Sequence, residues 1–297
     1  MDIYEILNKL GEVLKDEPIS RYNTYKVGGS ADYIFLPSNV ENLIKALNYL
    51  KENKILFKVI GNGSNLIFSS KRYKGVLIKL DNLNNMDIKD NEVYVEAGYK
   101  TIKLANKLSR EGYSGLEFAT GIPGTIGGAV FMNAGAYNSD FKSIIKSVTY
   151  LDENYNIKTL DNKDLDFEYR NSIFKKERKQ IILSTILLLD KDDPKKIIEV
   201  VESRKKRRIE SQPLDYPSAG SVFRNPEGAF AGKLIEDLGL KGYTIGGAKV
   251  SEKHANFIIN AVNATGEDIK ELIEYIQSKV KENYNIDLIL EQELVNF

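Results

Sequence analysis

The chain has 297 residues with 42 acidic and 42 basic side chains, a formal net charge of zero that makes no case for a nucleic-acid or anionic-membrane partner. It contains no cysteine and one histidine, His254. Disulfides, thiolate metal sites, iron–sulfur clusters, thiol nucleophiles and histidine-rich metal centres are therefore excluded, and no metal is expected.

The opening MDIYEILNKLGEVLKDEP carries helical apolar spacing with acids throughout, unlike a secretory signal, and predicts a helix within residues 1–20. No apolar run approaches membrane-spanning length, so a cytoplasmic location is expected. Ser38 followed by Glu41 predicts a capping box for a helix whose stripe is Val40, Leu43, Ile44, Leu47 and Leu50. KILFKVIG, GVLIKL and EVYVEAG read as strands. TIKLANKLSREG reads as a helix with Thr101 as cap and Gly112 as stop. IIKSVTYLD, IKTL and QIILSTILLL are rich in β-branched residues and read as strands, giving a mixed α+β first part.

The length exceeds the usual single core, and a break is expected at 192, because Asp193 and Pro194 form a cap with proline at the first helical position for KKIIEVVESRKKRRIE. The basic run Arg204 to Arg208 complements the end of that helix. Beyond it come a glycine-rich turn (SAGSVF), a helix (AGKLIEDLGLKG), a strand pair (AKVS and HANFIIN), a long helix from Thr265, and LILEQELV as a closing strand. There is no internal repeat and no low-complexity tract.

Two glycine-rich segments stand out. GIPGTIGGAVFMNAGAY, from Gly121 to Tyr137, holds five glycines and almost no charge; clusters like it serve positive φ or close approach of the main chain to a flat or anionic group, and this one reads as ligand-contacting ahead of a tight surface loop. Gly61-Asn62-Gly63-Ser64-Asn65 follows a strand, but the third glycine of a dinucleotide fingerprint would fall at Leu66 and no helix pattern opens there. No G-x-x-x-x-G-K-[ST] is present. Two readings stay open for this turn, a phosphate-holding nest of N–H donors and a plain left-handed hairpin turn.

Seven segments in order, NTYKVGGSADYIFLP, GNGSNL, GIPGTIGGAVFMNAGAY, YRNSIF, PSAGSVFRNP, GGAKVSEKHANFIIN and LEQEL, resemble the UDP-N-acetylenolpyruvoylglucosamine reductase family across nearly the whole chain. The resemblance implies an α+β fold: a two-subdomain FAD-binding domain of the vanillyl-alcohol-oxidase (PCMH) type over 21–192, split at about 75, after an N-terminal helix in 1–20, with a linker helix and smaller substrate-binding domain over 193–297. It implies NADPH-dependent, FAD-mediated reduction of the enolpyruvyl ether of a UDP-sugar in peptidoglycan precursor synthesis, by a cytoplasmic monomer. Gly61, Asn62, Gly63, Ser64 and Asn65 would wrap the FAD pyrophosphate, and Thr120, Gly121, Ile122, Gly124 and Gly127 would pass close to the flavin, where side chains at the glycines would occupy the cofactor's volume.

By the same resemblance Arg170 of Y-R-x-S, Ser221 of A-G-S-x-F and the second glutamate of L-E-x-E, Glu293, carry the chemistry. Arg170 would grip the enolpyruvyl carboxylate with a planar fork. Ser221 would deliver the proton to carbon, and Glu293 would orient Arg170 or polarise the developing enolate. Tyr169, Asn225 and Arg208 would contact substrate, Arg208 at the diphosphate. Without the resemblance Arg170 reads as a surface ion-pair residue, Ser221 as a turn former and Glu293 as an edge-strand charge. His254 reads as structural. Only 51 positions separate Arg170 and Ser221 (221 minus 170), which implies the short form of the family without its tyrosine lid loop. A flavin-dependent sugar or alcohol oxidase is the nearest rival, but with no cysteine and His254 outside the flavin domain it lacks a covalent tether. A non-catalytic nucleotide-binding module would not need Arg170, Ser221 and Glu293 together.

Overall fold

The structure, a computed structural model, describes residues 2–297. It divides into two units, each built from three separate segments: Met1–Lys15, Tyr33–Asn62 and Gly75–Lys206 form the first, and Asp16–Asp32, Gly63–Lys74 and Arg207–Phe297 the second. These units cut across the contiguous divisions expected at 20, 75 and 192.

In the first unit five antiparallel strands run in the order Ile157–Asp161, Ile145–Leu151, Ile181–Leu188, Glu92–Glu96 and Met86–Lys89. Alternation is plain in Glu92–Glu96, where Val93 and Val95 are buried and Tyr94 is exposed. Phe57–Ile60 pairs in parallel with Tyr73–Lys79. The helix Val40–Glu52 buries Leu43, Ala46, Leu47 and Leu50 as its stripe requires. Its cap is Asn39, whose Oδ1 accepts from Asn42 N at 2.9 Å, while Ser38 Oγ donates to Leu10 O, so the expected Ser38 capping box does not form. The helix Thr101–Arg110 begins after Lys100, and Thr101 lies inside it, fully buried, instead of capping it.

The N-terminal expectation is corrected more sharply. The helix covers only Ile3–Asn8, and Gly11–Pro18 is a strand. Glycine weakens a helix interior by about 1 kcal/mol, and here a Cβ at Gly11 would lie 2.1 Å from Leu36 O, a close approach that only the strand conformation makes useful.

The second unit holds the antiparallel strands Thr244–Ile245, Ala248–Val250 and Ile258–Asn260, and a parallel pair between Glu293–Val295 and Leu66–Phe68. The expected closing strand LILEQELV shrinks to Glu293–Val295. The helix Gly266–Tyr284 packs Ile269, Leu272, Ile273, Ile276 and Val280 against Val250, Ile258 and Ile235 in one buried cluster. Its first turn is closed by a reciprocal capping box: Thr265 Oγ1 accepts from Asp268 N at 3.0 Å and Asp268 Oδ2 accepts from Thr265 N at 2.9 Å. Burial pushes the Asp268 carboxyl up, but the bonds from Thr265 and Gly247 N–H outweigh it and the net shift is downward. A carboxyl lowered by folding stabilises above its unfolded value and loses that contribution as pH falls through the folded one. Thr265→Ala is expected to cost about 1 kcal/mol of stability. Asp268→Asn should destabilise at neutral pH and progressively less in acid, as followed by urea unfolding across a pH series.

Candidate active site

In the first unit the two glycine segments meet. Asn62 Nδ2 donates to Pro123 O at 2.8 Å, and the chain from Tyr99 to Thr101 clasps the second segment, with Thr101 N donating to Gly124 O at 3.1 Å and Ile126 N donating to Tyr99 O at 2.9 Å. The Glu117–Gly121 turn leads in, Thr120 Oγ1 donating to Glu117 O and Ile122 N to Ala119 O. Thr125 then caps the short helix Ile126–Phe131.

A cationic cluster that the motif reading missed underlies this junction. Lys79, 4 % exposed, donates from Nζ to Gly61 O at 2.8 Å; Asp81 bridges it at 3.4 Å to Lys100 at 3.1 Å, and Lys100 reaches Asn62 Oδ1 at 3.4 Å. Burial lowers the Lys79 pKa, opposed by the charge of Asp81 and reinforced by Lys100. The available signal was a lysine standing among the apolar residues of GVLIKL.

The glycines are corrected in part. None of Gly121, Gly124, Gly127, Gly128 and Gly135 has a positive φ, so left-handed backbone does not explain the cluster. At three of the family-implied positions, however, the protein itself fills the space: a Cβ at Gly61 would lie 2.6 Å from Thr125 Oγ1, at Gly63 2.4 Å from Tyr22 O, and at Gly127 2.9 Å from Ala97 Cβ. Gly63 also needs its φ of +64°. Gly128 differs, since a Cβ there would meet only Thr125 Oγ1, at 3.5 Å. The space left open at Gly128, with Lys79 and Lys100 at Gly61 and Asn62 beyond Thr125, suits a group bearing phosphates, which is what FAD presents.

Arg170 also belongs to the first unit. It sits in a tight turn bridged by Glu168 and Asn171, with a left-handed φ of +55°, and its Nη2 donates to Gly135 O at 2.7 Å. Tyr169 is exposed, with the Arg170 guanidinium 5.3 Å from its ring centroid.

Gly63, Ser64 and Asn65 fall in the second unit, as do Arg208, Ser221, Asn225 and Glu293. Gln292, the unspecified residue between the two glutamates of L-E-x-E, joins the last two motifs. Its Nε2 donates to the carbonyls of Ala219, Gly220 and Ser221 at 3.1, 3.3 and 3.3 Å, and its Oε1 accepts from the fully buried Tyr25 hydroxyl at 3.1 Å. Burial drives the Tyr25 phenol well above its ordinary range. Asn256 pins the other side of the turn, accepting from Phe223 N and donating to Phe223 O. Val222 N donates to Asn256 O at 2.9 Å, so Ser221 is fixed by its own carbonyl and by both neighbours, and Gly220 before it takes the φ of +75° that the turn demands. Glu293 is placed by its strand: its N–H donates to Asn65 O at 2.9 Å, and Asn65 Nδ2 donates to Glu291 O at 3.0 Å.

Two of the implied substrate residues already have protein partners. Asn225 Oδ1 accepts from Ala231 N at 3.1 Å, serving the helix Ala231–Asp237, and Arg208 Nε donates to Gln212 Oε1 at 2.8 Å. His254 accepts from Asn256 N at Nδ1 and packs on Phe257; burial first, and the charge of Lys241 second, lower its pKa, which suits a neutral structural histidine. Among the described residues no cluster of metal-ligating side chains occurs and no helix is long and apolar enough to cross a membrane.

Residues 31–161 match an FAD binding domain, and residues 212–295 match the C-terminal domain of UDP-N-acetylenolpyruvoylglucosamine reductase. The fold and the matched domains define a flavin-dependent oxidoreductase, α+β in class, with an FAD-binding domain and a smaller C-terminal domain. The chain is 46% identical over 296 residues to the UDP-N-acetylenolpyruvoylglucosamine reductase of Caldanaerobacter subterraneus subsp. tengcongensis, covering 98% of each chain. It is 42% identical over 288 residues to that of Bacillus subtilis, covering 97% of this chain and 95% of the relative. The crystal structure of UDP-N-acetylenolpyruvylglucosamine reductase from Thermus caldophilus aligns with a TM-score of 0.81 at 30% identity, over 96% of this chain and 98% of that one. This chain belongs to the UDP-N-acetylenolpyruvoylglucosamine reductase family.

Proposed function

We propose that this protein reduces the enolpyruvyl ether of UDP-N-acetylglucosamine enolpyruvate to UDP-N-acetylmuramate, using NADPH and FAD, in peptidoglycan precursor synthesis. The observation that carries this reading is near-full-length similarity to reductases of that name, and the constrained positions of Arg170, Ser221 and Glu293 support it. When bound, FAD would supply the hydride chemistry that links NADPH to the enolpyruvyl group.

The chain's own residues do the rest. Gly61 to Asn65 hold the pyrophosphate, with Lys79 and Lys100 offsetting its charge, and Thr120, Gly121, Ile122, Gly124 and Gly127 line the flavin. Arg170 grips the substrate carboxylate, onto which negative charge spreads once hydride has added. Ser221 gives its proton to the neighbouring carbon, and Glu293 orients the reacting groups or polarises the enolate. Tyr169, Asn225 through its amide NH₂, and Arg208 contact the UDP-sugar. The protein acts as a cytoplasmic monomer on diffusible nucleotides, with no nucleic-acid or membrane partner.

A visible absorbance spectrum of the purified protein, followed by bleaching on addition of NADPH, tests the reading. A colourless protein that takes up no FAD would sink it. Gly124→Val is expected to abolish flavin retention with the fold kept, since Gly124 is not left-handed and tolerates a side chain as far as its own backbone goes. Full flavin content in the purified variant would remove this loop from the cofactor site.

A further inference from the structure

Arg170 (φ +55°) shares left-handed backbone with three residues in and just before the hairpin that it contacts, Asn133 (+41°), Tyr137 (+55°) and Asn138 (+59°). Such residues each cost about 1 kcal/mol or more and persist only where surrounding structure enforces them. Tyr137 and Asn138 form the two-residue tip of the hairpin pairing Gly135–Ala136 with Ser139–Asp140. Positive φ at both central residues is the geometry that Asn and Gly accept well and an aromatic residue does not. Asn138 therefore fits, and Tyr137 requires another explanation.

Its side chain supplies one. The Tyr137 hydroxyl donates to Arg204 O on the helix Pro194–Ser211 at 3.0 Å, and the Arg204 guanidinium lies 5.0 Å from the centroid of the Tyr137 ring. Arg204 Nη1 is buried without a hydrogen-bond acceptor, so the ring face is the compensation available to it. The other end of the same hairpin holds Arg170: Gly135 O accepts from Arg170 Nη2 at 2.7 Å. Buried Asn133 ties the two together again, donating to Asp140 Oδ2 at 3.0 Å and to Glu168 O at 2.9 Å, two residues before Arg170.

We infer that Tyr137 and Arg204 are positioning residues, a latch that fixes the Gly135–Asp140 hairpin and through Gly135 O sets the guanidinium of Arg170 for the substrate carboxylate. The inference rests on the reading of Arg170 as the carboxylate-binding residue. Tyr137→Asn keeps a residue suited to the turn while deleting both latch contacts. Arg204→Met deletes the cation and keeps the carbonyl that Tyr137 uses.

The FAD-loaded variants are compared with the unaltered protein in thermal midpoint, in bleaching by NADPH, and in titration with UDP-N-acetylglucosamine enolpyruvate read from the flavin spectrum without NADPH. Expected are a midpoint close to the parent's for Tyr137→Asn, relief of the turn strain offsetting the lost contacts to Arg204, and unchanged bleaching. Substrate binding should weaken by about tenfold, and reoxidation of the reduced flavin by substrate should slow by as much as about 10²-fold, the effect of a small misplacement of a reacting group. Unaltered substrate affinity and reoxidation in both variants overturns the latch. So does a fall in thermal midpoint with loss of flavin in both, which makes the hairpin a purely structural element. Failure of the underlying reading shows separately, as unaltered protein that NADPH does not bleach or substrate does not reoxidise.

Discussion

Ser221→Ala is expected to leave NADPH-dependent bleaching of the flavin nearly unchanged and to slow its reoxidation by substrate by a factor on the order of 10² to 10⁴, the worth of a positioned proton donor. The asymmetry follows from the chemistry. Only the second half-reaction develops a carbanion, so only that half needs a proton at carbon. A hydroxyl is a weak acid in water, but an enolate is basic enough to take its proton when the two are held together. The turn is built for such holding: Gln292 fixes the Ser221 carbonyl, and Asn256 fixes Val222 and Phe223 through its own backbone and amide. Removing Oγ touches none of these bonds, so the variant should fold as the parent does. Stopped-flow absorbance separates the halves. Equal slowing of both would indicate disturbed flavin geometry, and no slowing of the second would hand the proton to solvent or Glu293.

Arg170→Lys should lower turnover with substrate by a factor on the order of 10² or more, although charge is conserved, because an ammonium cannot reproduce a two-donor planar grip on a carboxylate that gains charge in the transition state. The loss should appear in substrate affinity and in the second half-reaction together. A companion variant separates chemistry from folding. Arg170 is held at a φ of +55°, which glycine adopts freely, so Arg170→Gly removes a backbone cost of about 1 kcal/mol. Its thermal midpoint should stay level or rise while activity disappears. Turnover of Arg170→Lys near that of the parent, or a large loss of stability in Arg170→Gly, would mark the residue as structural.

The parts of this molecule that were legible along the chain are those decided by residues close in sequence. The long C-terminal helix follows from Thr265, Asp268 and the apolar spacing of Ile269 to Val280, all within its own turns. The strand alternation of Glu92–Glu96 and the stripe of Val40–Glu52 are local patterns of the same kind. The site motifs could be recognised because each is a short contiguous string. Where a neighbouring residue competed for the same role, local reading slipped by one position, as with Ser38 and Asn39, two side chains of nearly equal capping ability.

What only the tertiary structure decided are the pairings of residues far apart in the chain. Tyr25 and Gln292 lie 267 positions apart, and Lys79 reaches Gly61 across 18. Gly61, Gly63 and Gly127 are small because Thr125, Tyr22 and Ala97 lie against them, and no string of letters around a glycine states which distant atom will arrive there. The same holds for the two units, whose three segments apiece interleave along the chain, and for the N-terminal residues 11–18, drawn from helical spacing into a strand by close approach to Leu36. Burial and hydrogen bonding reward contacts made in space, so a sequence specifies them only through the whole fold, whereas caps, turns and amphipathic stripes are settled within a few bonds of the residues that encode them.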